Sequence, residues 1–359
     1  MDRIFRERVP YSGSLELTHR CNLTCRHCYQ FQPAGRNELD GGQWQKVMED
    51  LAAAGCLYLN FTGGEPLLRE DLPQLIRAAA AMGYVITLQT NAVLIDEAMA
   101  RMLGGLPTVR VDVSVYGARP ETHDRLTGME GSFAATRRAL GLLHDNGVPL
   151  LLKVTVGDFN LAEVEDIAGM ADDMGLQAVF SSIIFPRNDR DPAPLSMRLD
   201  DAGLERFVRF HTRYMLDKLG ESMGPEVKRA AREDLTAFIR KCAIDPAQVE
   251  SEYRHYCGGG TTAFAINPFG DVYPCIAFPL VVGNVLEKDF SEIWENSPQL
   301  QRLRGKEEGL PEDCKGCDLL EKCAICMALS YLEEGEAMAL SGERCRQTRM
   351  LVKVLTHDE

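Results

Sequence analysis

Short apolar runs and longer amphipathic segments alternate along the first half of the chain. Runs rich in β-branched and aromatic residues predict strands over 14–18, 57–61, 84–88, 109–114, 150–155 and 178–184. Apolar positions at helical spacing predict intervening helices over 42–54, 72–82, 96–103, 132–146 and 161–174. Strands that alternate with helices favour a parallel sheet with right-handed crossovers. The pattern therefore predicts an α/β fold whose six strands form a partial (β/α)6 barrel, open on one side.

The pattern changes after a polar, proline-rich loop over 186–196. Amphipathic segments over 200–219 and 225–241 predict two helices that lead to a cysteine-rich end. There, two apolar runs flank Asn267-Pro268-Phe269-Gly270-Asp271, which is a strong signal for a β-hairpin. We therefore predict three regions: a barrel over 1–199, a helical bridge over 200–255 and a small cysteine-rich α+β domain over 256–359.

Composition and charge exclude several classes of protein. A length of 359 residues suits about two domains, at roughly 100 to 200 residues per domain. The net charge of −14 disfavours nucleic acid as a partner, and the sequence has neither an apolar run of membrane-spanning length nor a signal peptide. Twelve cysteines are too few for a disulfide scaffold, and ten of them fall in motif-like groups. They predict metal ligands in a cytoplasmic protein that has no membrane or nucleic-acid partner.

Three cysteines, Cys21, Cys25 and Cys28, follow the first predicted strand with C-x3-C-x2-C spacing. A loop this short can aim three sulfurs at one face of a cubic [4Fe-4S] cluster, which leaves the fourth iron open for chemistry. Function in parallel α/β barrels concentrates at this end of the strands. A structural zinc loop is the alternative, but zinc needs a fourth ligand and His27 is the only near candidate.

The segment Gly63-Gly64-Glu65-Pro66 follows the second predicted strand in the same way. Two glycines allow the backbone to approach a ligand closely. Backbone carbonyls and the Glu65 carboxylate suit an amino group. Further polar residues, among them Asn91, Ser114 and Lys153, lie near the ends of later strands.

With these two motifs, the chain resembles the radical S-adenosylmethionine (radical SAM) superfamily. The resemblance implies that Cys21, Cys25 and Cys28 hold a radical-generating [4Fe-4S] cluster and are catalytic, with S-adenosyl-L-methionine chelating the open iron. One electron would then cleave this cosubstrate to methionine and a 5′-deoxyadenosyl radical, which abstracts hydrogen from the substrate.

The same resemblance implies which residues bind S-adenosyl-L-methionine. The predicted contacts are Tyr29, Gly63, Gly64, Glu65, Pro66, Asn91, Ser114 and Lys153. Tyr29 would lie near the adenine, and Ser114 near the ribose or carboxylate. Asn91 and Lys153 either face the cosubstrate or are ordinary polar residues at strand ends.

The C-terminal region resembles the SPASM domain, an extension of radical SAM enzymes that commonly carries two auxiliary [4Fe-4S] clusters. By motif position, one auxiliary cluster would be held by Cys314, Cys317, Cys323 and Cys345, and the other by Cys257, Cys275 and Cys326. No cysteine shortly precedes Cys257, so we predict an open iron on the second cluster, which ligation by Cys242 or His255 would contradict. A zinc ribbon is the alternative for the paired cysteines. Cys56 and Cys242 are predicted to be small buried hydrophobes.

Two extra clusters suit an oxidative reaction, because a substrate radical must lose an electron to give a closed-shell product. The resemblance therefore implies oxidative modification of a peptide or protein, by cross-linking or by side-chain oxidation. A radical SAM enzyme for a small molecule, such as a tetrapyrrole or a cofactor precursor, is the alternative. A non-catalytic iron-sulfur protein for electron transfer or sensing is a third hypothesis, and the intact 63–66 segment argues against it.

Partners follow from this chemistry. The expected ones are the peptide or protein substrate and an electron donor of the flavodoxin or ferredoxin type. The chain begins almost directly at the first predicted strand, so recognition of a leader peptide is expected to need a separate protein or another surface.

Overall fold

The computed structural model describes residues 2–30, 36–223, 258–305, 312–323 and 325–357. Within these residues, nine strands form one sheet in the order β6-β5-β4-β3-β2-β1-β7-β8-β9. The strands in chain order are β1 (Ser12–Thr18), β2 (Tyr58–Gly63), β3 (Val85–Thr90), β4 (Val109–Ser114), β5 (Leu150–Thr155), β6 (Gln177–Ser181), β7 (Ala263–Ile266), β8 (Asp271–Tyr273) and β9 (Gly283–Asn284).

Strands β1 to β6 are parallel, each paired with the next along the chain, and they confirm the predicted partial barrel. β4 and β5 have the predicted bounds, whereas β6 ends at Ser181 rather than at residue 184. The last backbone hydrogen bond here runs from Val156 N to Ser181 O, at 2.8 Å. Beyond it, the chain leaves the sheet in a loop over the carboxyl end of the barrel.

The predicted hairpin is present, and it extends the barrel sheet. β7 and β8 are antiparallel, while β7 pairs in parallel with β1, with Ser12 opposite Ala263 and Leu15 opposite Ile266. The sequence analysis predicted the hairpin but not this pairing. The cysteine-rich region is thus joined to the barrel by backbone hydrogen bonds.

Helices cover the outer face of the sheet and the C-terminal region. They are α1 (Asp2–Arg6), α2 (Gly41–Ala53), α3 (Leu72–Ala81), α4 (Glu97–Gly104), α5 (Pro120–Thr127), α6 (Ser132–Asp145), α7 (Val164–Asp173), α8 (Asp201–Met223), α9 (Phe290–Asn296), α10 (Pro298–Arg304), α11 (Glu312–Lys315), α12 (Met327–Glu334) and α13 (Gly342–His357). α8 packs against α13. The helix predicted over 225–241 lies outside the described residues.

Side chains along β1 point alternately to the hydrophobic core and to the interior of the barrel. Leu15 and Leu17 are buried in the main hydrophobic core, on the side of the sheet that the helices cover. Successive strand residues point to opposite faces. Glu16 therefore points into the barrel, where it is also buried. The interior of the barrel carries polar chemistry directly beneath the loop that follows β1.

Among the described residues, no helix is both long enough and apolar enough to cross a membrane.

Candidate active site

The loop that carries Cys21, Cys25 and Cys28 leaves the carboxyl end of β1 and is held against α5. Thr24 N donates to Thr127 O at 2.9 Å, and Arg26 N donates to Leu126 O at 3.1 Å. Gly128 ends α5 with a φ of 72°, and a Cβ there would lie 2.2 Å from Thr24 Oγ1. The end of this helix therefore supports the backbone of the cysteine loop.

The structure brings the three thiols together in a partly buried site. Burial first, and then the charges of Cys28 and Cys21, raise the pKa of Cys25 to about 12. Burial also raises the pKa of Cys21 and of Cys28; the nearby carboxylates add to this effect, Glu65 at Cys21 and Glu16 at Cys28. Three thiolates that converge in a partly buried site repel one another, so they need a compensating positive charge.

These thiols fit an iron-sulfur cluster better than a single ion. Across the described residues, no three His, Cys, Asp or Glu side chains are placed to hold one metal ion. The ligands of a cubic cluster stand farther apart, because its irons and sulfides lie between them. Metal coordination deprotonates a thiol and thereby reverses the raised pKa. The cluster-ligand role of the three cysteines stays a prediction that this geometry suits.

The two glycines after β2 allow that strand to press against the cysteine loop. Gly63 has a φ of 136°, and Gly64 N donates to Thr18 O at 2.7 Å. A Cβ on Gly64 would lie 2.2 Å from Arg20 O. Only glycine fits at such a close backbone approach. The edge of β2 and the start of the cysteine loop thus form one continuous backbone surface, which we call the cradle (residues 62–65 together with 18–20).

The Glu65 side chain points inward and is fully buried. Its Oε1 accepts from Thr90 Oγ1 at 2.7 Å and from Leu67 N at 3.0 Å, and its Oε2 accepts from Asn91 N at 2.9 Å. Burial raises the pKa of Glu65 to about 7, against the lowering effect of these hydrogen bonds. The carboxylate therefore anchors the cradle to the end of β3, and the backbone carbonyls are the groups left to accept an amine.

The remaining predicted cosubstrate contacts occupy neighbouring strand ends. Asn91 follows β3, and Ser114 ends β4 directly opposite Lys153 of β5. Asn91 Oδ1 accepts from Val93 N, and Asn91 Nδ2 donates to Asn22 Oδ1 at 2.8 Å. Its side chain is therefore engaged within the protein, while its role toward a cosubstrate stays a prediction.

The pKa of Tyr29 responds to charges from both cysteine-bearing regions. Burial raises its pKa well above the usual range, and the charges of Glu16, Cys28 and Cys275 contribute in that order. Tyr29 O also accepts from Asn188 N at 2.8 Å, in the loop after β6. This one residue thus adjoins the first cysteine loop, the C-terminal region and the loop that connects them.

Sequence reasoning missed several polar and aromatic residues of this site. Glu16 accepts from Gln30 Nε2 and lies 3.5 Å from His19 Nε2. Tyr116 is partly buried near the three cysteines, shares a hydrogen bond with Ser114 and packs on the His27 ring at 4.6 Å between ring centroids. Glu16 is the lone charge in an otherwise uncharged strand, and that was the available signal.

Four of the C-terminal cysteines lie close enough together for their charges to interact. Charges from Cys345, Cys323 and Cys317 raise the pKa of Cys314, after the larger effect of burial. Thr348 Oγ1 donates to Cys323 Sγ at 3.5 Å. These four thiols converge, and their role as cluster ligands stays a prediction.

Cys275 and Cys326 belong to the other predicted ligand group. Both pack with Phe278, Met327 and Phe185 in a separate apolar cluster. Cys257, Cys242 and His255 lie outside the described residues, so the predicted open iron stays a prediction. Cys56 is buried under β1 and β2, with Sγ 3.5 Å from Tyr58 O, and burial raises its pKa to about 12. That environment suits a small buried hydrophobe.

Two family models match the chain. Residues 15–171 match the Radical SAM superfamily, and residues 257–318 match an iron-sulfur cluster-binding domain, SPASM. The first match covers most of β1, the strands β2 to β5, the cysteine loop and the cradle, and the second begins at Cys257.

Several curated proteins are similar over most of the chain. An AdoMet-dependent heme synthase of Methanosarcina barkeri is 30% identical over 330 residues, which cover 89% of this chain and 92% of that protein. A PqqA peptide cyclase of Xanthomonas campestris pv. campestris is 29% identical over 332 residues, covering 86% of this chain and 79% of the cyclase.

Two solved structures have a similar fold. Streptococcus suis SuiB bound to its precursor peptide SuiA superposes with a TM-score of 0.73 and 18% identity, covering 96% of this chain and 78% of SuiB. The enzyme anSMEcpe, with bound AdoMet and the peptide Cp18Cys, superposes with a TM-score of 0.73 and 20% identity, covering 97% of each chain. At these identities the likeness establishes the fold alone.

Proposed function

Because this chain belongs to the radical SAM superfamily and carries a SPASM domain, we propose that it oxidatively modifies a peptide or protein, by forming a cross-link or by oxidising a side chain. It is an enzyme whose cofactors are [4Fe-4S] clusters and S-adenosylmethionine. We further propose one radical-generating cluster, two auxiliary clusters and the three regions 1–199, 200–255 and 256–359.

The observation that carries this proposal is the pairing of β1 with β7, which puts the strand before Cys21 next to the strand that begins the hairpin before Cys275. The predicted auxiliary cysteines would then lie on the same sheet as the site where a substrate radical would form. The cluster held by Cys21, Cys25 and Cys28 would supply, with S-adenosylmethionine, the radical chemistry that removes a hydrogen atom from the substrate, and a cluster held by the C-terminal cysteines would supply an electron acceptor. Such an arrangement suits a net two-electron oxidation. The similarity to PqqA peptide cyclases over most of the chain supports a peptide as the substrate.

The chain's own residues would act mainly by positioning. Cys21, Cys25 and Cys28 would hold the radical-generating cluster, and the carbonyls of the cradle would accept the methionyl amine. Glu65 would keep that edge in place through its three internal hydrogen bonds. The burial of the thiols would exclude water from the reacting atoms.

A tetrapyrrole substrate is the second candidate. One observation favours it: the similarity to the AdoMet-dependent heme synthase covers 89% of this chain and 92% of that protein. The two candidates differ in the size and charge of the substrate. Assays with both substrate classes therefore separate them.

We also propose a cytoplasmic location and an electron donor of the flavodoxin or ferredoxin type. Ten cysteines in predicted ligand groups suit a reducing compartment. Recognition of a peptide leader, where the substrate has one, would fall to a separate protein or to another surface of this chain.

The first test is cosubstrate cleavage by the anaerobically reconstituted enzyme with dithionite. Formation of 5′-deoxyadenosine together with roughly twelve irons, four for each of three cubic clusters, would support the proposal. Cys25→Ala should abolish cleavage, because two thiolates do not hold a cluster with one open iron, whereas the matched change Cys56→Ala should preserve it. Full iron loading without deoxyadenosine would instead indicate an electron-transfer protein.

The second test identifies the substrate class. Candidate peptides and tetrapyrroles are added to the active enzyme, and the products are followed by mass spectrometry. A peptide product lighter by a pair of hydrogen atoms, formed together with deoxyadenosine, is the expected result. Turnover of tetrapyrroles alone would establish the second candidate.

A further inference from the structure

One buried hydrogen-bond donor beside the first cysteine has no acceptor in the protein. Asn22 follows Cys21, and its Nδ2 is shielded from solvent without a hydrogen-bond partner among the described residues. A buried donor without an acceptor destabilises the folded protein, because it has lost its hydrogen bonds to water. An acceptor that the protein binds at this place would remove that penalty.

Neighbouring residues fix which atom of the Asn22 amide is the donor. Val93 N is a backbone donor, and it lies 2.9 Å from Asn91 Oδ1. Asn91 must therefore present its Nδ2 to Asn22, where it meets Oδ1 at 2.8 Å. Rotating the Asn22 amide by half a turn would place two NH2 groups against each other. The unsatisfied atom is thus an N–H donor, independent of how the amide of Asn22 was first assigned.

The side-chain amide that carries this donor lies beside the first thiol. Asn22 Oδ1 lies 4.0 Å from Cys21 Sγ, and Leu23 N donates to the same sulfur at 3.4 Å. The amide therefore belongs to the polar lining of the site formed by the three thiols. Cluster sulfides and cysteine thiolates are electron-rich acceptors, and a carboxylate of the cosubstrate has similar chemistry.

We propose that Asn22 is a positioning residue that donates an Nδ2–H···S hydrogen bond to the cluster held by this loop. The inference rests on cluster binding as proposed above. Hydrogen bonds to the sulfurs are among the factors that set the reduction potential of a cluster. A donor stabilises the reduced cluster, which carries one more negative charge, and so it raises the potential.

The same hydrogen bonds join this donor to the cradle. Asn91 N donates to Glu65 Oε2 at 2.9 Å, while Asn91 Nδ2 holds Asn22. The backbone surface proposed to bind the methionyl amine and the donor proposed to face the cluster are thus connected through a single residue. A substitution at Asn22 is therefore expected to change the reduction potential of the cluster directly and the affinity for the cosubstrate indirectly, through Asn91.

The test is a redox titration of the intact, cluster-loaded enzyme, followed by electron paramagnetic resonance. The signal of interest is the one that changes shape when S-adenosylmethionine is added, and its potential is measured without the cosubstrate. Asn22→Leu keeps the side-chain shape and removes the donor, so it should lower the potential. Asn22→Asp keeps an acceptor for Asn91 and adds negative charge, so it should lower the potential further.

A matched control is Asn296→Asp, which adds the same charge at an exposed position on α9. It should shift the potential less than either Asn22 variant. If Asn22→Leu loads less iron than the unaltered enzyme, Asn22→Ala takes its place, because it also removes the donor without adding charge. An unchanged potential in the Asn22 variants overturns the inference. So does a loss of cosubstrate affinity alone, measured by calorimetry, because that result assigns the donor to a carboxylate.

Failure of this inference is distinguishable from failure of the proposed function. In the unaltered enzyme, a signal that responds to S-adenosylmethionine supports the function whatever the Asn22 variants do. A signal without that response would contradict the function itself.

Discussion

Backbone atoms at the cradle leave no room for a side chain. A Cβ on Gly64 would lie 2.2 Å from Arg20 O and 2.7 Å from His19 O. Both neighbours are backbone carbonyls, so no change of rotamer relieves the overlap. The cradle therefore keeps its shape only while this residue is glycine.

We expect Gly64→Ala to weaken S-adenosylmethionine binding by about ten-fold or more, because overpacking of this kind costs about 1 to 3 kcal/mol. Calorimetry on the cluster-loaded protein measures the affinity. Gly169→Ala is the control, since Gly169 lies inside α7 with no heavy atom within 4 Å of its added Cβ. Equal affinities for the two variants would contradict the assigned role of the cradle.

His123 gives the protein a defined sensitivity to acid. The residue is buried within α5, and burial lowers its pKa to about 4, against an opposing effect of Asp124. Above its ordinary pKa of 6.5 the ring is neutral in folded and unfolded chains alike. Between pH 6.5 and about 4, the unfolded chain binds a proton that the folded chain does not. Stability contributed by this group is thus lost as the pH falls.

His123→Phe should remove that loss and keep the ring contact with Phe133, which spans 5.7 Å between ring centroids. Between pH 7.5 and 5.5, the unaltered enzyme should lose roughly 1 kcal/mol more of its free energy of unfolding than the variant. Urea titrations at the two pH values provide the measurement. Parallel pH dependence in both proteins would show that His123 titrates normally.

At the scale of residues, the sequence alone was enough to single out the cysteines and the glycine segment as candidate site residues, because their spacing is specific. It could not predict Asn22, whose importance depends on the hydrogen bonds of Asn91 in a loop about 70 residues away. Nor could it show that Glu65 turns inward to Thr90. Such roles depend on which atoms meet across the fold.

At the scale of elements, the pairing of β1 with β7 depends on one small residue. Gly13 lies opposite Phe264, and a Cβ on Gly13 would approach the Phe264 ring to 2.4 Å. The ring occupies the space that a side chain would take and packs on Phe290 at 4.6 Å between centroids. The large Phe264 side chain on β7 thus fits against β1 only because Gly13 has no side chain.

Gly13→Ala should destabilise the protein by about 1 to 3 kcal/mol through overpacking. The added change Phe264→Leu should recover part of that loss, because it removes the ring atoms that clash. Denaturant unfolding of the single and double variants gives the coupling energy. Strictly additive effects would mean that the two positions do not share this contact.

The sequence predicted the β7–β8 hairpin, because its turn residues are adjacent in the chain. It did not predict that β7 pairs with β1, since parallel pairing across about 250 residues leaves no local signal. The strands and helices predicted for the barrel are present, because their periodicity shows which face is buried, and most of their ends lie within two residues of the prediction. The end of β6 lies three residues before its predicted position, α7 begins three residues after its predicted start, and α5 was not predicted.

At the scale of the whole molecule, a partly buried ion pair joins the barrel to the C-terminal helices. Arg198 donates to Ile184 O through Nε at 3.0 Å, and its Nη2 lies 2.7 Å from Glu333 Oε1. Glu333 belongs to α12, whose N-cap residue is Cys326. The helix that begins at a predicted auxiliary ligand is therefore tied to the loop after β6.

A change at the auxiliary cluster should separate two steps of the reaction. Cys317→Ala removes a predicted ligand in the C-terminal group and leaves the first cysteine loop intact. We expect it to retain part of the cosubstrate cleavage and to lose product formation, because the substrate radical then lacks its electron acceptor. Deoxyadenosine and product are quantified in the same reaction. Equal loss of both would indicate that the C-terminal domain acts only structurally.

The continuous nine-stranded sheet has a consequence for electron tunnelling. Tunnelling rates fall steeply with distance. A donor and an acceptor on two domains that move relative to each other would therefore exchange electrons at a rate limited by the domain motion. Here the strand before Cys21 and the strand that begins the hairpin before Cys275 are hydrogen-bonded neighbours. The gap between the two predicted cluster sites is thereby fixed by backbone geometry, and a radical formed on the substrate would find its electron acceptor at a constant separation in every turnover.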